Sequence, residues 1–242
     1  MLRTSRRSLA LCHTTMITNH ITEFESFVAN DVDAAAKELS GIKTDAQRKH
    51  LQRLVYTNLV DRFDSMVDHT LLVNAASTSL LDEALSKLND PLPEGELLRL
   101  LLASNASVHA ESRVQEYVRT NILRKRHSQK LEKLLGVLHP SVNATKAPRV
   151  NVNTGAVVAK FTPQNNKIPA SICGYADWLY SRRNSVVHGA GGTALLRNDL
   201  DKLKSLYNAQ PAAGVKISVG SISSASKYYL GVSSLLKSPA VT

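Results

Sequence analysis

The chain of 242 residues carries 30 Lys and Arg against 20 Asp and Glu, a formal net charge of +10, and 43% of it is hydrophobic. That is enough apolar material to bury a core in one large or two small domains, while the longest apolar runs, such as Leu100 to Ala103, fall far short of the roughly 20 residues of a bilayer-spanning helix. A basic chain of pI near 9.7 concentrates polyanions by steering and counterion release, which makes nucleic acid the leading partner class and leaves a membrane without support.

The first residues hold Arg3, Arg6 and Arg7 with several hydroxyl side chains and no acid, a composition shared with organellar transit peptides. Met16 directly precedes a plausible folded start, so residues 1–21 read more simply as a basic, disordered leader. Cys12 and Cys173 are the only cysteines, which fits neither a disulfide framework nor the paired spacing of a zinc site. A cytoplasmic protein with no metal or cofactor is expected, and the sequons at Asn105 and Asn143 then carry no meaning.

From Thr22 the apolar positions Phe24, Phe27, Val28, Val32, Ala35 and Leu39 follow helical spacing, with Gly41 as a stop. Leu51, Leu54, Val55, Leu59, Phe63, Met66 and Val67 form the stripe of a stronger helix, and Asp61, Asp64 and Asp68 occupy its other side. Pro91 and Pro93 punctuate the chain before a short buried helix over Leu97 to Ala103. One long helix is predicted from Val114 through Tyr117, Ile122, Leu131 and Leu135 to Leu138, with Arg119, Arg124, Lys125, Arg126, His127, Lys130 and Lys133 along its middle.

Between His139 and Pro169 the pattern turns to Pro, Asn and Gly, with β-prone pieces Arg149 to Val152 and Ala156 to Phe161 around Asn153-Thr154-Gly155, which spells a hairpin or an irregular excursion. Helical periodicity resumes at Ile172, Tyr175, Leu179 and Val186, and again at Leu195, Leu196, Leu200, Leu203 and Leu206. Past Pro211 the serine-rich tail alternates weakly through Val215, Ile217 and Val219, as a strand, a partner-binding segment or disorder would. The expected fold is all-α: a helical domain over residues 22–208 with an insertion at 139–170, and a tail over 209–242. The insertion leads straight into the next helix, which suggests a lid or a regulator's docking surface; a tolerated surface loop is the alternative.

The chemistry concentrates in Ser181-Arg182-Arg183-Asn184-Ser185-Val186-Val187-His188-Gly189, the end of a helix with a glycine available for its cap. Asn184 and His188 lie one turn apart on one side, so the amide is placed to hydrogen-bond the imidazole. Arg183 points roughly 140° away from His188 on an ideal helix, so a homodimer with this helix, Ile172 to His188, at its twofold axis would complete the cleft. Taken singly, each residue has an ordinary structural use, Arg183 in a salt bridge and Asn184 and His188 as polar residues of a C-terminal turn.

These residues resemble the R-x4-6-H signature of the HEPN superfamily (higher eukaryotes and prokaryotes nucleotide-binding) in its Arg-Asn-x-x-x-His form, and the order of helices from Thr22 to Asn208 is similar too. The resemblance implies an all-α, usually dimeric bundle that cuts RNA without metal, with Arg183 and His188 catalytic and Asn184 positioning them. It also implies a toxin or antiviral-defence role, held silent by an antitoxin or another partner protein. The residue types suit that reaction: RNA supplies its own 2′-hydroxyl nucleophile, and the protein needs a side chain titrating near neutrality and a cation for the phosphoryl oxygens. A non-catalytic HEPN-type module that binds RNA, a nucleotide or a protein is the alternative.

Arg182 is a further RNA-contact candidate, although a solvated arginine is the plainer use. Arg124, Lys125, Arg126 and Lys130 form a basic cluster suited either to tracking an RNA backbone or to a solvated helix face. Tyr175 and Trp178 read as packing residues. The chain has no H-E-x-x-H, Walker loop, dinucleotide fingerprint or G-x-S-x-G.

Overall fold

A computed structural model describes residues 19–76, 78–87, 93–102, 105–140, 148–158, 168–188 and 216–238. Helix α1 is continuous over 19–27, a π-helical turn at Val28–Val32, and Asp33–Glu38, and closes in a 3-10 turn at Leu39–Gly41. It is followed by α2 (Asp45–Val73), α3 (Thr78–Lys87), α4 (Glu94–Leu102), α5 (Ala106–Tyr117, running into a π-helical turn at Val118–Ile122) and α6 (His127–Leu138). A hairpin of β1 (Arg149–Val150) and β2 (Val157–Val158) precedes α7 (Ile172–His188) and α8 (Val219–Lys237). The chain is thus mostly helical, with one small antiparallel hairpin among the described residues. No described helix is long and apolar enough to cross a membrane.

The long helix α2 is the central element, packing on α1, α6, α7 and α8. Tyr56, Leu59, Val60, Phe63, Val67 and Leu71 are wholly buried along it, a stripe wide enough to serve several neighbours at once. The Phe63 ring stacks on Tyr229 of α8 at 4.0 Å between centroids and meets Phe24 of α1 edge-on at 5.4 Å. Two phenols fix α7 against this core: the Tyr56 hydroxyl donates to the Leu179 carbonyl at 3.0 Å, and that of Tyr228 to the Ile172 carbonyl at 2.6 Å.

Several expectations are corrected. The folded part begins before Thr22, since Ile21 is wholly buried in the core; residues 1–18 of the leader lie outside the described residues. Leu54 is half exposed, off the main stripe. The helix at Glu94–Leu102 is not buried: Leu98 and Leu102 are 51% and 85% exposed. The long helix over 114–138 is two helices, because the chain turns between the π-helical segment and Arg126, whose backbone is extended at φ −60° and ψ 150°. No glycine or proline marks that break. It is made by the Gln129 side chain accepting from the Arg126 backbone N–H, and by the buried partners that α6 reaches across the interface.

The tail is corrected most. Instead of a strand or a disordered segment, residues Val219–Lys237 form a core helix, with Ile222, Ala225, Tyr228, Tyr229 and Val232 fully buried. The hairpin packs on this helix, with Val150 wholly buried, and it turns through Gly155 at φ +77°, a conformation suited to glycine. Gly231 of α8 lets the two meet, because a Cβ there would stand 2.5 Å from both the Gly155 carbonyl oxygen and Val150 Cγ1. The described parts of both the 139–170 excursion and the tail therefore supply core. The helix expected over Leu195 to Leu206 lies outside the described residues.

Candidate functional site

Asp61, Asp64 and Asp68 share one side of α2, and in the structure that side faces α6 and α7. Each carboxylate meets a cationic or imidazole partner: Asp61 meets Arg183, Asp64 meets His127 and Lys130, and Asp68 meets Lys130. The acidic stripe is thus an interhelical seam.

At its upper end, Arg183 Nη2 donates to Asp61 Oδ2 at 2.9 Å, and Nε lies 2.7 Å from Oδ1 as an ion contact too oblique for an aligned hydrogen bond. Arg183 Nη1 donates to Asn184 Oδ1 at 3.0 Å, and the guanidinium sits 5.9 Å from the centroid of Tyr180. The Arg183 side chain is 21% exposed and that of Asp61 43%. Each Nη carries two N–H groups and, among the described residues, spends one on these partners, so one donor on each is left for a ligand.

His188 is the last residue of α7 and is exposed. Among the described residues it makes no hydrogen bond or ion pair, and the expected Asn184–His188 hydrogen bond is not formed: the Asn184 carbonyl oxygen is engaged by Arg183 instead. Arg183 and Asn184 are therefore brought together with Asp61, while His188 stands apart at the helix end.

Below Arg183 the seam continues inward. The Tyr180 ring stacks on His127 at 5.0 Å between centroids and 9° between planes. His127 Nδ1 is 2.6 Å from Asp64 Oδ1, and His127 Nε2 is buried without a partner among the described residues. Lys130 Nζ lies 2.6 Å from Asp64 Oδ1 and 2.7 Å from Asp68 Oδ1.

Burial drives the Asp64 carboxyl upward, but the hydrogen bonds from His127 and Lys130 outweigh it and hold the group below the usual carboxylate range. Asp68 moves the other way because burial prevails over its single cation, with the neighbouring Asp64 charge adding to the rise. Burial opposes the Lys130 charge, yet its two carboxylates keep the ammonium above the ordinary lysine value.

The basic cluster is dispersed. Lys130 is only 4% exposed and committed to the seam, so it is withdrawn from any RNA-contacting surface. Arg126 pairs with Asp177 of α7 at 2.9 Å. Arg124 and Lys125 are exposed in the turn between α5 and α6. Arg182 lies over Tyr56 and Trp178, at 5.6 and 5.5 Å from their centroids, and donates to the Lys216 carbonyl at 3.0 Å; it packs α7 onto its neighbours. Tyr175 and Trp178 are buried, as packing residues should be.

Elsewhere, α1 and α2 leave an open groove of about 490 Å³ lined by His20, Phe27, Arg62 and His69 among others, and none of the motif residues borders it. Among the described residues no three His, Cys, Asp or Glu side chains converge as a metal-binding group. Asp61 and His127 are the residues of this region that the motif alone does not flag. The 3–4 spacing of the three aspartates on a helix that also carries a full apolar stripe is the feature that could have found the first. No family model, curated protein or solved structure matches the chain.

Proposed function

We propose that this protein is a metal-independent endoribonuclease of the HEPN type, acting in the cytoplasm as a toxin or antiviral-defence effector under the control of an antitoxin or another partner protein. The observation that carries this reading is the state of the motif: Arg183 is held by Asp61 and Asn184 with a donor left on each terminal nitrogen, and His188 is exposed at the end of the same helix.

In the reaction, the RNA 2′-oxygen bonds to phosphorus as His188 takes its proton. The P–O5′ bond breaks, and the departing 5′-oxygen takes up a proton from a second imidazole or from water. Arg183 stabilises charge on the non-bridging oxygens. His188 lies five positions after Arg183 along the helix, a rise of about 7.5 Å at roughly 140°, so a homodimer that pools two copies is the arrangement we favour. Residues Ile172 to Leu179 are covered largely by the protein's own chain, which restricts the twofold contact to the last turns of α7, where Val187 and His188 are exposed.

The test is cleavage of a defined RNA in EDTA with end-group analysis. Products ending in a 2′,3′-cyclic phosphate and a 5′-hydroxyl are expected, with no cleavage where the attacking nucleotide is 2′-deoxy; cleavage of that deoxy substrate refutes the mechanism. One observation favours a second reading: the Asp61–Arg183 pair also ties α7 to α2, as it would in a non-catalytic module that binds RNA, a nucleotide or a protein. Under that reading the purified protein leaves RNA intact.

A further inference from the structure

We infer that Asp61 is a positioning residue for the reaction, fixing the Arg183 guanidinium so that its outer N–H groups meet the scissile phosphate; the inference rests on the ribonuclease reading above. An arginine on the last turns of a helix has four side-chain torsions, and its favourable charge contributes fully to rate only when it is already aimed at the place where charge develops. Here three groups restrain it. Asp61 Oδ2 accepts from Nη2 at 2.9 Å with Oδ1 against Nε, Asn184 Oδ1 accepts from Nη1 at 3.0 Å, and the Tyr180 ring lies 5.9 Å from the guanidinium carbon.

Asp61 takes the Nε edge of the guanidinium, and Nε is buried there. The carboxylate therefore covers the inner edge, and among the described residues it leaves a donor on each of Nη1 and Nη2. Asp61 is also poorly suited to a purely stabilising role. Its side chain is 43% exposed and that of Arg183 21%, and ion pairs with that much solvent access add little to stability. The deeper members of the stripe, Asp64 and Asp68, are the ones with buried partners.

The Tyr180 restraint is set from the same helix. Tyr180 stacks on His127, whose Nδ1 is 2.6 Å from Asp64, so α2 reaches Arg183 directly through Asp61 and indirectly through Asp64, His127 and Tyr180. Asp68 touches Lys130 alone among these groups and does not touch Arg183, which makes it the control for any general loosening of the seam.

The experiment compares single-turnover and steady-state RNA cleavage in EDTA by wild type, Asp61→Asn, Arg183→Ala, the double variant and Asp68→Asn, with thermal melts of each. Asp61→Asn is expected to lower kcat by about 10- to 100-fold, the scale of an ångström-sized misplacement, to change KM by less than about threefold, and to melt close to wild type. The double variant should be no slower than Arg183→Ala, because Asp61 acts through Arg183. Asp68→Asn should lower the melting temperature and keep kcat. Four results overturn the inference while leaving the ribonuclease reading standing: Asp61→Asn cleaving as fast as wild type, Asp61→Asn cleaving faster because the carboxylate had latched the arginine, a double variant losing the product of the two single effects, or Asp68→Asn losing as much kcat as Asp61→Asn. Wild type that leaves RNA intact overturns the reading itself, and the inference falls with it.

Discussion

Replacing Lys130 with alanine removes the one ammonium that meets both Asp64 and Asp68, and the structure sets the size of the effect. The Lys130 side chain is 5% exposed, and those of Asp64 and Asp68 are 19% and 28%. Breaking a fully buried ion pair by deleting one partner costs about 3–5 kcal/mol, because the other charge is left without compensation. Two features lower that figure: both carboxylates keep some solvent, and His127 still holds Asp64. A loss of about 2–3 kcal/mol is therefore expected, most of it arising at Asp68, whose carboxyl burial already pushes upward. Urea unfolding followed through Trp178, the single tryptophan, reads the change; with a slope of about 2 kcal/mol per molar, the midpoint should fall by about 1 M or slightly more. Lys133→Ala is the comparison, since that lysine pairs with Glu83 at 30% and 27% side-chain exposure and should lose less than about 1 kcal/mol. Adding Asp68→Asn to Lys130→Ala should recover part of the deficit. The reasoning is refuted if Lys130→Ala costs no more than Lys133→Ala, or if Asp68→Asn deepens the loss.

Acid should act through Asp64. Its folded pKa is depressed, so its contribution is present above the unfolded value near 3.9 and is lost as pH falls through the lower folded value, whereas Asp68, shifted upward, has already protonated. Urea midpoints from pH 5 to pH 2.5 should fall more steeply for wild type than for Asp64→Asn below about pH 4; parallel curves would contradict the assignment. Burial pushes the Cys173 thiol up to about 12, so iodoacetamide at about pH 8.5, where an ordinary thiol is half ionised, should leave Cys173 unmodified in the native protein and alkylate it in urea; equal rates in the two states would show the buried environment to be wrong. Gly231→Ala drives a Cβ to 2.5 Å from the Gly155 carbonyl oxygen and Val150 Cγ1 and should cost about 1–3 kcal/mol as the hairpin shifts. An unchanged thermal midpoint would mean that the hairpin does not pack on α8.

How much of this was legible in the sequence differs by element. The apolar spacing of Phe24, Phe27, Val28 and Val32, and of Ile172, Tyr175 and Leu179, gives α1 and α7 directly, and Asn153-Thr154-Gly155 marks the hairpin because the turn needs the positive φ of Gly155. Helix α8 was hidden by its serines. Ser218 and Ser221 are its reciprocal cap, each hydroxyl accepting the other's backbone N–H, and Ile222, Ala225, Tyr229, Val232 and Leu236 keep helical spacing between them. The break before α6 was not legible, because it follows from contacts of His127 and Lys130 with α2 rather than from a local breaker. The same contacts decide the aspartates: from sequence an acidic stripe reads as solvated, and only the packing of α6 and α7 turns it into a seam. The motif residues were legible as a group, but the engagement of Arg183 by Asp61 depends on a residue 122 positions earlier in the chain, which no local pattern reveals.

Single-turnover cleavage of a labelled RNA in EDTA by wild type, Arg183→Ala and His188→Ala tests the central claim most directly. Both side chains reach solvent and neither fills the core, so both variants should keep the wild-type far-ultraviolet spectrum, while cleavage falls by roughly two orders of magnitude or more in each, the scale of losing electrostatic or acid–base catalysis. Wild-type cleavage rates in either folded variant would contradict the assignment of this site.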